Sequence, residues 1–131
     1  MILDLVKTCC VSTIMYSLEA LNLNATTLRS LDVPLYKAVG KIFKSYDVQN
    51  CNWCMFYLNS WPLKYEFYYR KIKFLTKLKS SCNIVLTTLY NINGRCEVTN
   101  ACDDMHISHA SLKLCSLKSS MWRQFELHLI D

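Results

Sequence analysis

A chain of 131 residues has the length of one domain, and a hydrophobic content of 52% is ample for a core. Two glycines and two prolines are too few for the many tight turns of an all-β fold, so helices are expected. Fifteen basic against ten acidic residues leave a net charge of +5, which suits an anionic partner but also an acidic substrate or a purely soluble surface.

Residues 1–21 are expected to form the first helix, with Leu3, Val6, Cys10, Ile14, Leu18 and Leu21 at three and four spacing. Leu5, Cys9, Val11 and Met15 make it apolar nearly all round, so it is either buried or lacks a partner that covered it. The pattern starts without an N-cap, which suggests a piece of a larger parent protein. Asp4 and the single Lys7 do not make a signal peptide, and Asp4, Lys7 and Glu19 interrupt the best window for a membrane span. The expectation is a protein of the cytoplasm or nucleus, with no membrane partner and with its eight cysteines reduced. The glycosylation acceptor Asn24-Ala25-Thr26 is then a coincidence.

Asn22-Leu23-Asn24 breaks the pattern and can cap a short helix over 26–31, ending near Asp32. After Pro34 a further helix is predicted over 35–46. Leu35, Val39, Ile42, Phe43 and Tyr46 point inward, and Lys37, Lys41 and Lys44 line the outer face. Asp47 caps a helix over 48–59 that carries Cys51, Trp53, Cys54, Phe56 and Leu58.

Trp61-Pro62 turns the chain into its most charged segment, 61–79. Leu63, Phe67, Phe74 and Leu78 recur at helical spacing, with Tyr68, Ile72 and Leu75 beside them. The opposite face holds Lys64, Arg70, Lys71, Lys73, Lys77 and Lys79 against one acid, Glu66, an excess equal to the net charge of the chain. This face is either a solvated surface or a seat for phosphate backbone. A shared patch with Lys37, Lys41 and Lys44 would favour the second. Beyond Ser80-Ser81 a shorter helix is predicted over 83–90, then a turn at Asn93-Gly94 and a mobile loop through 93–108 with Glu97, Asp103 and Asp104. The last helix, 119–130, places Trp122, Phe125, Glu126 and Leu129 at helical spacing.

Five stretches, taken together and in order, carry a resemblance. They are IMYSLEALNL at 14–23, LDVPLYKAVGKIFK at 31–44, CMFYLNSWPL at 54–63, RKIKFLTKLK at 70–79 and MWRQFE near the end. The chain resembles the helical region after the catalytic domain in reverse transcriptases of non-LTR retrotransposons. The resemblance implies a non-enzymatic, thumb-like or C-terminal piece. The family's palm, with its Tyr/Phe-x-Asp-Asp motif and upstream aspartate, has no counterpart in the sequence, nor does its endonuclease. It implies RNA or DNA as partner only in general terms, and no family motif assigns single contacts.

Other constellations carry less. Ala101-Cys102-Asp103-Asp104 has paired acids but lacks the aromatic and the hairpin of the polymerase motif, so no catalytic residue is assigned. Cys51-x-x-Cys54 with Cys102, His106, His109 and Cys115 offers zinc-type ligands, but in no known knuckle spacing and partly on a helix, so neither metal nor cofactor is assigned. Three histidines and many serines show no nucleophile-elbow sequence. The tyrosines and tryptophans near the basic helix are core residues or platforms for bases.

The sequence therefore predicts a single all-α domain over 1–131, an irregular bundle of about five or six helices. Three roles remain open: a nucleic-acid-binding fragment of a reverse transcriptase, a protein-interaction module docking through helix 1–21, and a translated retroelement remnant without a selected role.

Overall fold

The computed structural model describes residues 2–108 and 114–130, and every element among them is helical. The predicted all-α bundle is the observed architecture. The buried side chains form one cluster, with α5 (Leu63–Lys79) at its centre. Around α5 stand α3 (Ala25–Phe43), α7 (Arg95–Asp104) and α8 (Leu114–Ile130), and α4 (Val48–Tyr57) packs on α3 and α8.

The N-terminal segment is not one helix. α1 (Ile2–Leu5) runs through a π-helical turn (Val6–Val11) into α2 (Ser12–Ile14), and the run ends where Ser17 takes a left-handed conformation with φ 62°. A 3₁₀ turn (Leu18–Ala20) follows. Met15 is the one residue of these elements and their junctions that is buried among those described, while Ile2 is 62% and Tyr16 81% exposed. Val6, Val11, Ile14 and Leu18 lean on the core without entering it.

α3 joins what the sequence divides into two helices. Asn24 caps it, its Oδ1 accepting from Thr27 N at 2.8 Å. Pro34 lies inside the helix on an exposed position. Its ring removes one backbone bond, but Leu28 before it and Leu35 and Val39 after it bury on the same core, and packing on both sides carries the helix through. The helix ends at Phe43 with Lys44 left-handed, so Tyr46, predicted inward, is exposed. Ser45 N donates to Gly40 O at 3.1 Å in this reversal. A Cβ at position 40 would stand 2.7 Å from Ser45 O, so the close approach requires glycine.

Asp47 caps α4 as predicted, accepting from Asn50 N at 3.0 Å. A tertiary cap begins α5: Asp32 of α3 accepts from Leu63 N at 2.7 Å. Burial pushes the Asp32 carboxyl above the usual carboxylate range, and N–H bonds from Leu63 and Lys64 pull it back in part. The chain before α3 meets the middle of α5, where Lys71 Nζ reaches Leu21 O, and Asp32 further along α3 meets its start. The two helices therefore run antiparallel.

The 93–108 loop is the largest correction. α6 (Ile84–Leu89), a π-helical turn (Tyr90–Gly94) and α7 form one helical run, and of the expected loop only 105–108 are non-helical. Gly94 has a helical φ of −63°, and the Tyr90 ring lies where its Cβ would be, 2.6 Å from Tyr90 Cδ2. Val98, Ala101, Cys102 and Met105 bury at three and four spacing and hold the segment to the core. α8 starts at Leu114, five residues before the predicted 119, because Leu117 joins Met121, Phe125 and Leu129 on its buried stripe.

Candidate nucleic-acid interface

The outer side of α5 borders a groove in two adjoining segments. One, of about 350 Å³, runs past Tyr69, Arg70, Lys73, Phe74 and Lys77, with Glu19 on its far wall. The other, of about 230 Å³, lies between α5, the N-terminal segment and α8, and takes in Lys7, Trp61, Lys118 and Trp122. Glu66, Tyr69 and Arg70 line both segments, which therefore adjoin.

The groove carries five cations, Lys7, Arg70, Lys73, Lys77 and Lys118, against two carboxylates, Glu19 and Glu66. Glu66 is already engaged. Arg70 Nε donates to its Oε1 at 2.6 Å and Trp61 Nε1 to its Oε2 at 2.8 Å. Lys7 Nζ donates to Leu58 O and Asn59 O, closing the C-terminal end of α4, where carbonyls lack helical partners. Lys73 Nζ sits 5.9 Å from the centroid of the Tyr69 ring. Trp61 stacks on Trp122, centroids 5.0 Å apart at 25° between planes, and Tyr69 tilts against Trp61 at 5.9 Å.

Of the cations predicted for nucleic acid, Arg70, Lys73 and Lys77 share this groove. Lys79 is exposed at the end of α5. Lys64 points elsewhere, into a cleft of about 650 Å³ with Arg29, Asp32, Tyr36, His106 and His128. Lys37 and Lys41 are exposed on the far half of α3, and Lys44 is exposed just past its end. Because α3 and α5 are antiparallel from Asp32 and Leu63, the α3 lysines and Lys77 lie on the order of 30 Å apart at 1.5 Å per residue. That is several Debye lengths, so the two groups act as separate patches rather than one.

Lys71 is the clear correction. It is 4% exposed, and its ammonium is held by Glu97 Oε2 at 3.1 Å, by Leu21 O at 3.1 Å and by Asn22 Oδ1. It is a buried clasp between α5, α7 and the chain before α3, with no charge to offer a ligand. Lys7 and Lys118 are the groove cations that sequence reasoning missed. Lys7 stands alone in an apolar segment, and Lys118 lies one residue before the predicted start of the last helix.

Asp103 and Asp104 end α7, and Asp104 Oδ2 accepts from Tyr68 OH at 2.7 Å, which fixes α7 to α5. Cys51 is buried with its thiol directed at Ser45 O, and Cys102 is buried in α7. His109 and the Cys115 side chain lie outside the described residues. Among the described residues no three His, Cys, Asp or Glu side chains gather as metal ligands. No helix among them is long and apolar enough to cross a membrane.

The thiols divide by access. Cys9, Cys10, Cys82 and Cys96 are exposed, whereas burial pushes the Cys51 and Cys102 thiols up, with nearby Cys54 and Asp103 adding to it. Since the thiolate is the reactive species, Cys51 and Cys102 should react with an aromatic disulfide on the order of 100-fold more slowly than the exposed four. A variant with Cys51→Ser and Cys102→Ser that keeps the whole slow phase would contradict this assignment.

Comparison with protein-family models, with curated proteins and with solved structures finds no match to this chain.

Proposed function

We propose that this chain is a non-catalytic nucleic-acid-binding piece of a retroelement reverse transcriptase, a thumb-like or C-terminal region whose basic helical surface takes RNA or DNA backbone. The observation that supports it is the convergence of Lys7, Arg70, Lys73, Lys77 and Lys118 on one groove from three parts of the chain. A solvated helix face needs no second and third element to contribute cations. Glu66, which lines both parts of the groove, is neutralised by Arg70, and Lys7 is bonded to Leu58 O and Asn59 O, which leaves Lys73, Lys77 and Lys118 to meet phosphate.

Binding should be weak, indifferent to sequence and steeply salt-dependent. Each neutralised phosphate contributes a slope of roughly −0.7 on single strands and −0.9 on duplex DNA in a plot of log affinity against log salt. Reversing Lys73 and Lys77 to Glu should flatten that slope by about two units, whereas reversing Lys37 and Lys41 should leave binding in the groove nearly unchanged. Filter binding at two salt concentrations makes the measurement, and no detectable binding at the lower one would end this reading.

A second reading has its own observation. Ile2, Leu5 and Tyr16 leave an apolar surface exposed on the N-terminal segment, which suits a protein partner docking there. It predicts a partner lost on changing Leu5 or Tyr16 to Ser, with no salt-dependent binding of RNA.

A further inference from the structure

We infer that the α5 groove selects single-stranded over duplex nucleic acid, because its cations are interleaved with aromatic rings that only unpaired bases can use. The inference rests on the reading of this groove as a nucleic-acid interface and adds which form it takes.

A duplex hides the faces of its bases and offers a protein phosphates and groove edges. A surface for duplex backbone therefore needs cations and small donors, and gains nothing from rings. This groove has both. Tyr69 sits at the junction of its two segments, half-buried, with Arg70 beside it in sequence and Lys73 over its ring. Trp61 and Trp122 are half-buried and line the segment that also holds Lys7 and Lys118. Single-strand binding surfaces combine these two features, a cationic track for the backbone and aromatic platforms for the bases.

The rings are held in place before any ligand arrives. Trp61 is fixed by its hydrogen bond to Glu66 and by stacking on Trp122, and Glu66 is fixed in turn by Arg70. A platform already ordered loses little side-chain entropy on binding. The Arg70–Glu66–Trp61 chain thus removes a repulsive charge from the track and orients a platform at once.

The test compares fluorescein-labelled oligo(U) and oligo(dT) with a duplex of equal length, by anisotropy at low salt, for the full chain. Both single strands should bind at least tenfold more tightly than the duplex, and should quench tryptophan fluorescence as bases approach Trp61 and Trp122. Tyr69→Leu should weaken single-strand binding by about tenfold, the loss of one base–aromatic stack, and leave the duplex unaffected. Tyr69→Phe, which keeps the ring, should restore it. Lys73→Gln with Lys77→Gln should weaken both forms. Circular dichroism of each variant verifies that the fold persists. Equal affinity for single strand and duplex, or a Tyr69→Leu effect shared by both, overturns the selectivity while leaving the groove a nucleic-acid interface. Absence of binding to either form overturns both.

Discussion

Truncating Phe125 to Ala is expected to destabilise the fold by about 3–5 kcal/mol, the usual range for a fully buried phenylalanine. Phe125 has no exposed surface, and its ring centroid lies 5.1 Å from Tyr65, 6.0 Å from Trp122 and 6.1 Å from Phe56. It is the point where α4, α5 and α8 meet through aromatic rings. Such ring pairs add to area burial, so the loss belongs at the upper end of the range. A chain of this length typically has a stability of roughly 5–15 kcal/mol, so the variant should fold but with a much-reduced margin. Urea titration should show the midpoint falling by on the order of 2–3 M with an unchanged slope of roughly 1.5–2 kcal/mol/M. Phe125→Leu, which leaves a smaller void, should lose well under half as much. A midpoint for Phe125→Ala within experimental scatter of the parent would mean that α8 does not pack as described.

The second large effect is expected at Lys71. Removing one partner of a buried ion pair costs about 3–5 kcal/mol, because the other charge is left without compensation. Glu97 keeps some contact with water, its side chain being 26% exposed, so Lys71→Met belongs at about 2–4 kcal/mol. The methionine fills most of the lysine's volume, so the loss reports the ammonium's bonds to Glu97, Leu21 O and Asn22 rather than a cavity. Adding Glu97→Leu should recover at least half, since a buried pair replaced by apolar residues is often close to neutral. Below its melting temperature, Lys71→Met should bind oligonucleotides as the parent does. Weakened binding in a folded Lys71→Met protein would return Lys71 to the basic face.

At Lys71 charge and helical position point to opposite faces of α5. Its position follows Phe67 and Tyr68 by four and three residues and precedes Leu75 by four, within the apolar stripe of α5. Sorting by charge alone put it on the outer face; sorting by angle puts it inside, where it needs a partner. α7 was hidden for the opposite reason. Val98, Ala101, Cys102 and Met105 keep helical period, but they are small or soft residues among Glu97, Asp103 and Asp104, and Asn93-Gly94 before them has the chemistry of a turn. Pro34 divided α3 by a local rule that tertiary packing overrode. The caps at Asn24 and Asp47, by contrast, follow from side-chain chemistry within a few residues, and both form. The groove needed more than local chemistry. Arg70, Lys73 and Lys77 share one helix face and were legible, but Lys7 and Lys118 reach them only through the fold.

The weak anchoring of the N-terminal segment bears on that groove's shape over time. Met15 is its one described residue in the core, and Lys7 ties it to α4 through two carbonyls at the surface. Local opening free energies in a protein range from near zero to the global value, and a segment with so little burial belongs at the low end. Its amides should exchange with solvent well before those of α5. Lys7 and Val11 form one wall of the groove, so each such excursion removes a wall while α5 and α8 stay in place. The opposite wall is as durable as the whole fold, and the groove's width is set by its least stable part.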